Sequence, residues 1–308
     1  MQIQWYPGHM YKASLAFKET LPSVDLIIEI LDARIPYSSE NPMVADLRGD
    51  KPCIKVLNKR DLGDDALINE WQEYWQQQVG VRSLAVSMSE PDKINQIVSL
   101  CKKMLPEKVS KDRPIHAMIM GIPNVGKSTL INILAGRKIA KTGNEPAVTK
   151  RQQRIDLGNG VTLLDTPGVL WPNIENHHSG YRLAATGAVK DTALDYPDVA
   201  FYVVEYLLEH YPEQLKARYQ LDSLPDTEYE FFQQIGKSRG CLRGGGDVDL
   251  EKISKILIAE LRSGALGQVT FETPTMMTVE KQLVEVKRAN KLAKKESRKT
   301  QHKKKRRR

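Results

Sequence analysis

The sequence predicts an α/β fold: a mostly parallel sheet between helices, then a small all-α domain, then a disordered basic tail. Three observations carry this. Short apolar, β-branched runs alternate with amphipathic segments in the first half of the chain, the pattern of strands joined by crossover helices. The strand signal fades beyond Gly168 while helical periodicity continues. Positive charge is concentrated at the end.

In order, the candidate strands are 24–31, 53–57, 82–86, 115–120 and 161–164. A more polar run, 152–157, precedes the last of these and is joined to it by Gly158-Asn159-Gly160, a hairpin signal. Residues 66–78 and 92–105 read as amphipathic helices, and another covers 127–134. Beyond Gly168 the helical candidates are 197–210, 227–235 and 249–262. In the last, Leu250, Ile253, Ile256, Leu257 and Leu261 share one face, and Ser263-Gly264 ends it. A boundary within 171–180 divides a first domain, 1–175, from a helical domain, 176–275, with the tail at 276–308. No internal repeat is visible.

A chain of 308 residues, 41% apolar and 27% charged, is ordinary globular material with length for two domains. No apolar run approaches the roughly 20 residues that span a bilayer. The start, Met1-Gln2-Ile3-Gln4-Trp5-Tyr6-Pro7, lacks the basic and apolar regions of a signal peptide, so a cytoplasmic location is expected. Cys53, Cys101 and Cys241 have neither metal-site nor disulfide spacing and read as reduced, structural thiols.

The net charge of +8 is unevenly spread. From Lys281 to Arg308 there are 14 basic side chains against Glu285 and Glu296, a net +12, which leaves 32 basic and 36 acidic residues before it, a net −4. This tail, ending Lys303-Lys304-Lys305-Arg306-Arg307-Arg308, has almost no apolar residue beyond Leu292, so disorder when free is expected. Adjacent cations on a flexible segment suit a polyanion, with salt-dependent and sequence-independent affinity. A solubilising run is the plainer reading, and an acidic membrane surface lacks the amphipathic anchor it would need.

Gly121-Ile122-Pro123-Asn124-Val125-Gly126-Lys127-Ser128 fits the phosphate-binding G-x-x-x-x-G-K-[ST] pattern and follows a candidate strand, the context the motif requires. Its glycines let N–H groups turn toward phosphate oxygens, so Asn124, Val125, Gly126, Lys127, Ser128 and Thr129 are nucleotide-binding candidates. Lys127 suits the β- and γ-phosphates, the Ser128 hydroxyl suits Mg²⁺, and the helix from Lys127 adds its dipole. By itself this motif says NTP and not which base. Asn58-Lys59-Arg60-Asp61, at the end of strand 53–57, has the N-K-x-D form that reads guanine. The Asp61 carboxylate accepts from both N1–H and N2–H, a donor pair adenine lacks. Asn58 meets the O6/N7 edge, and the Lys59 stem covers the ring. An unpaired buried carboxylate penalises the wrong base. Taken alone, such a tetrapeptide is also compatible with a polar turn; beside the phosphate loop it is not.

Asp165-Thr166-Pro167-Gly168 has the D-x-x-G form, with Asp165 toward Mg²⁺ and the Gly168 N–H toward the γ-phosphate. Thr149 is placed as the switch threonine that ligates Mg²⁺. Ser87-Met88-Ser89, after strand 82–86, supplies backbone N–H to guanine O6, with Ser87 and Met88 as candidates. These motifs describe a circularly permuted P-loop GTPase domain. The usual order begins at the phosphate loop and ends at the guanine-reading elements; here those elements come first. A closed ring of contacts is indifferent to where the chain begins. One consequence follows from the rotation: switch II, after Gly168, runs directly into the helical domain.

Trp5-Tyr6-Pro7-Gly8-His9-Met10, Asp32-Ala33-Arg34-Ile35-Pro36, the NKRD tetrapeptide, the phosphate loop and 163–172 (LLDTPGVLWP) together resemble the ribosome biogenesis GTPase A (YlqF/RbgA) family. The resemblance covers about 3–275, including Gly240-Cys241-Leu242 and Arg262-Ser263-Gly264-Ala265-Leu266-Gly267. It implies a GTP-hydrolysing assembly factor for the large (50S) ribosomal subunit, stimulated by the particle, with a helical domain that contacts rRNA. Ala147 stands where the family usually has Gly, Ser-Met-Ser departs from its Ser-Ala-Lys loop, and the lysine-rich extension is longer than its core.

Val169 and Leu170 occupy the place where Ras-type enzymes keep a water-orienting Gln. The resemblance gives that role to the Pro-Gly-His-Met loop, so His9, whose imidazole can accept from or orient a water, is the catalytic candidate with Lys127. Packing beside Trp5 and Tyr6, or contact with RNA, is the bland reading of His9; His177 and His178 are rivals. Asn124 resembles the phosphate-loop Asn of GTPases that use K⁺ in place of an arginine finger. The expected protein is monomeric, binds GTP and GDP with Mg²⁺ and K⁺, docks on rRNA in its GTP state, leaves on hydrolysis and has no membrane partner. A GTP-gated RNA-binding module with negligible hydrolysis, and a membrane-surface GTPase, are the alternatives.

Overall fold

Strands form where apolar, β-branched residues run continuously, because a strand covered on both faces has no polar side. In the computed structural model, which describes residues 3, 5–140 and 153–305 and side chains as far as 295, six strands make one sheet. They are β1 (Leu26–Asp32), β2 (Cys53–Asn58), β3 (Val81–Ala85), β4 (Ile115–Gly121), β5 (Gln153–Asp156) and β6 (Val161–Asp165). Their order is β3-β2-β1-β4-β6-β5, parallel throughout except for the β5–β6 hairpin. Gly158 and Gly160 both adopt positive φ in its turn. Every expected strand appears, within two residues at each end.

The helices are α1 (Gly8–Thr20), α2 (Pro42–Arg48), α3 (Asp65–Gln76), α4 (Pro91–Met104), α5 (Pro106–Ser110), α6 (Lys127–Leu134), α7 (His177–Ala185), α8 (Tyr196–His210), α9 (Pro212–Tyr219), α10 (Glu228–Ser238), α11 (Leu250–Ser263) and α12 (Pro274–Lys305). Alternate residues of β1 face opposite cores. Ile28 and Ile30 join Ile94, Ile97 and Cys101 of α4 and Leu130 and Ile131 of α6. Ile27 and Leu31 join Phe17 of α1, Val44 of α2 and Ile68, Trp71 and Trp75 of α3. Asp64 caps α3 by accepting from the N–H groups of Ala66 and Leu67. The first of these cores continues without a break into α8, α10 and α11, so the helical part is packed onto the sheet. All three cysteines are buried and free. Among the described residues no helix is long and apolar enough to cross a membrane.

The tail departs from expectation. The segment 276–308, expected to be disordered, lies in the long helix α12 as far as Lys305. Nothing after Pro274 breaks a helix: the segment has neither Gly nor Pro and is rich in Lys, Arg, Glu, Ala and Leu. Buried Met277 and Glu280 fix its first turns, which removes the costly nucleation step. From Glu285 to Lys295 every side chain is exposed.

Parallel pairing of β1 with β4 sets Ile30 opposite Gly121. A methyl group on Gly121 would lie 2.7 Å from the Ile30 carbonyl oxygen, a backbone atom that cannot yield without separating the strands. Gly121→Ala is expected to lower stability by roughly 1–3 kcal/mol, the usual cost of overpacking; a urea midpoint equal to that of the wild type would refute this.

Candidate nucleotide site

In a parallel sheet all strands end on one edge, and ligands gather outside the carboxyl ends where the strand order reverses. Here the reversal lies between β1, which leads outward to β2 and β3, and β4, which turns to the other side. Asp32, Asn58, Gly121 and Asp165 are the last residues of β1, β2, β4 and β6. The guanine-reading tetrapeptide, the phosphate loop and the Asp-Thr-Pro-Gly turn therefore leave the sheet side by side.

The first two meet through Asn58, whose Nδ2 donates to the Val125 carbonyl at 2.6 Å. Its Oδ1 is buried without a hydrogen-bond partner among the described residues. Gly126, with φ +96°, closes the loop so tightly that a Cβ there would lie 2.3 Å from Asn58 Nδ2 and 3.5 Å from Met88 Cε. Met88 thus brings the Ser87–Ser89 turn, whose two hydroxyls are 2.9 Å apart, against the same glycine. Gly168 is equally close to the phosphate loop: its Cβ would meet Pro123 backbone at 3.2 Å. Ser128 and Thr129 lie in the first turn of α6, partly exposed. Asp61 is exposed in a 3₁₀ turn, without a hydrogen-bond partner among the described residues. Thr149 lies outside the described residues.

Lys127 and Asp165 are both buried and paired directly. Burial pulls the Lys127 ammonium below its ordinary range, with Asp165 opposing, and pushes the Asp165 carboxyl up, with Lys127 opposing. Each charge is under-compensated by the other. Phosphate oxygens for the first and a divalent cation for the second are the ligands that correct this, and the donor set fits both.

One residue given no role by sequence organises the base-reading side. The Asp32 carboxylate accepts from Arg34 Nε at 2.9 Å and Nη2 at 2.8 Å, and from Lys59 Nζ at 2.8 Å. Burial alone would raise this carboxyl; the two cations outweigh it and hold Asp32 far below the usual carboxylate range. Lys59 sits at φ 60°, its ammonium directed to Asp32. Arg34 Nη1 reaches on to the Leu261 carbonyl at 3.3 Å, and Phe271 N donates to the Arg34 carbonyl at 2.8 Å. The signal available in sequence was a carboxylate at the end of an apolar run with Arg two residues on.

The phosphate side is also tied to the helical part. Asn124, at φ 58°, donates from Nδ2 to the Gly187 carbonyl at 2.8 Å. Arg262 closes the end of α7 by donating to the Ala184 and Ala185 carbonyls at 2.9 and 3.0 Å. Val169 and Leu170 are buried in the core. His9 lies exposed at the start of α1, edge-on to Trp5 with ring centroids 6.4 Å apart. No hydrogen bond joins it to Lys127, Asp165 or Gly168 among the described residues. His177 and His178 lie at the start of α7, against Tyr181 and Tyr202.

A family model described as a 50S ribosome-binding GTPase matches residues 116–229. A ribosome biogenesis GTPase A from Priestia megaterium is 49% identical over 283 residues, spanning 89% of this chain and 98% of that one. The chain belongs to the ribosome biogenesis GTPase A family. Membership makes it a GTPase with the permuted domain described above. Two solved structures agree, each 30% identical in sequence. A GDP-bound YlqF aligns with TM-score 0.60 over 84% of this chain and 99% of that one. GNP-bound YlqF from T. maritima aligns with TM-score 0.59 over 85% and 98%.

Two expectations follow. Alanine at Gly126 costs about 1–2 kcal/mol for its left-handed backbone alone, before the clash with Asn58, so Gly126→Ala is expected to weaken GTP binding about tenfold or more; titration with a fluorescent GTP analogue at wild-type affinity would refute it. Asp32→Asn leaves buried Arg34 and half-buried Lys59 without their carboxylate, a loss of about 3 kcal/mol. Because the folded carboxyl titrates below the unfolded one, the wild-type advantage is full above the unfolded pKa of about 4 and shrinks as pH falls beneath it. Denaturation at pH 7, 5 and 3 should find that gap unchanged at pH 5 and smaller by about 1 kcal/mol at pH 3.

Proposed function

We propose that this protein is an assembly factor for the large ribosomal subunit that binds rRNA in its GTP state and leaves on hydrolysis. The observation that carries the reading is the junction of Asn58 with the phosphate loop at Val125 and Gly126, which joins base recognition to phosphate binding in one pocket. The names of its relatives and the basic C-terminal segment support the ribosomal partner.

In this reading, Asp61 accepts from guanine N1–H and N2–H, and Asn58, Ser87 and Met88 line the O6/N7 edge. Asn124, Val125, Gly126, Lys127, Ser128, Thr129 and Gly168 hold the phosphates, with Lys127 moving from Asp165 to the β- and γ-oxygens. Ser128, Thr149 and Asp165 would hold Mg²⁺, which supplies charge neutralisation on those oxygens when bound. Asn124 spends its N–H on Gly187, so Oδ1 is the atom that would face K⁺. His9 orients the attacking water once the particle brings α1 to the γ-phosphate; Val169 and Leu170, being apolar and buried, leave that task to a group from outside switch II. The protein works as a cytoplasmic monomer.

Single-turnover GTP hydrolysis, with and without large ribosomal subunits and in K⁺ or Na⁺, tests this. Subunits are expected to accelerate hydrolysis at least tenfold in K⁺, and His9→Ala to lose most of that acceleration, within the 10²–10⁴-fold usual for a general base. Equal rates with and without subunits would favour a GTP-gated binding module. A stimulated rate unchanged in His9→Ala removes His9 from the mechanism, and one unchanged in Na⁺ removes K⁺.

A further inference from the structure

Helix α12 stands on the segment through which switch II leaves the pocket. Glu280, buried at its root, accepts from Arg182 Nη2 at 2.7 Å and Nη1 at 2.9 Å, and from Asn176 Nδ2 at 2.5 Å. Arg182 also pairs with Glu272 at 3.2 Å, and Glu272 accepts from the Tyr37 and Ser38 N–H groups. Two turns along α12, Arg288 pairs with Glu175. Glu175 and Asn176 lie seven and eight residues beyond Gly168, at the entrance to α7.

Packing contributes little to this hold. A cleft of about 340 Å³, lined by Trp171, Asn173, Glu175, Val284 and Arg288 among others, opens between α12 and the switch exit. Beyond its first turns, where Met277 is buried in the core, the direction of the helix depends on these few ion pairs. Beyond them, Lys287, Lys291 and Lys295 are exposed on a helix in which basic residues far outnumber Glu285 and Glu296. With 32 residues, α12 has a length of about 48 Å at 1.5 Å per residue. Cations at fixed spacing on a stiff rod suit the phosphate rows of structured RNA, whose affinity comes from counterion release.

We propose that α12 is an RNA-binding arm whose direction is set by the nucleotide through the contacts of Glu280 and Arg288 with the switch-II exit. The partner rests on the rRNA reading above; the gating does not. When the γ-phosphate is lost, the Gly168 turn relaxes, residues 169–176 shift, and Glu175 and Asn176 move with them. The arm then leaves the angle at which it meets RNA together with the helical part.

The full chain with spin labels at Lys138→Cys and Asn290→Cys reports the angle as an inter-label distance, since the native thiols are buried. Different distance distributions with GDP and with a non-hydrolysable GTP analogue are expected, and loss of that difference in Glu280→Gln. Arg288→Ala, on the exposed side, should weaken the difference without touching the buried pair. Identical distributions in the two states, or full gating in both variants, overturn the gating. Binding to large-subunit rRNA across a salt series reads the partner. Lys287→Gln, Lys291→Gln and Lys295→Gln together are expected to reduce the logarithmic salt slope by about 2–3 and to weaken binding at least tenfold at physiological salt. An unchanged slope, or loss of binding confined to phosphatidylserine vesicles, overturns RNA as the partner. Failure of the unsubstituted protein to bind rRNA at all would sink the functional reading, while the distance measurement still judges the arm.

Discussion

The parallel pairing of β2, β1, β4 and β6 obliges Asn58, Asp32, Gly121 and Asp165 to leave the sheet on the same edge. Everything chemical in the molecule depends on that constraint. The Asn58 tetrapeptide, the phosphate loop and the Asp165 carboxylate belong to segments far apart in sequence, and only strand direction brings them together. The same constraint explains why rotation of the motif order is harmless. Moving the chain termini leaves each loop at the carboxyl end of its own strand, so the pocket is conserved while the elements attached to its ends change.

Electrostatics then separates the two halves of the pocket. On the base side, Asp32 is satisfied by two cations and is fixed in place; it holds Lys59 in a left-handed conformation and hands Arg34 to the helical part. On the phosphate side, Lys127 and Asp165 are paired with each other and are both displaced toward neutrality by burial. A satisfied carboxylate is a structural joint. An under-compensated pair is a binding site, because a polyanion and a divalent ion relieve both members at once.

Several of the contacts between the helical part and the first domain touch the nucleotide machinery. Leu261 and Phe271 receive Arg34, Gly187 receives the Asn124 amide, and α7 begins where switch II ends. Helix α12 returns to the last of these through Glu280 and Arg288. The C-terminal third is thus an extension of the switch, joined both through the chain and through side chains. Rotation of the motif order has this result: the Gly168 turn, the helices and the cationic rod are consecutive.

Sequence by itself determined the strands, the pocket motifs and their rotated order. Those signals are local: a continuous apolar run, a glycine spacing or an Asn-Lys-x-Asp tetrapeptide is complete within a few residues. Helices α1, α2, α5, α7 and α9 carry a periodicity too short or weak to read, and in α12 the charge suggests disorder while the composition favours helix. Tertiary structure alone decided the role of Asp32, whose partner Lys59 is distant in the chain, the reach of Arg34 to Leu261, the contact of Asn124 with Gly187, and the seat of α12 on the switch exit. Each is a polar contact between segments far apart in sequence. Burial and partner, which set the energy of a charge, exist only once the chain has folded.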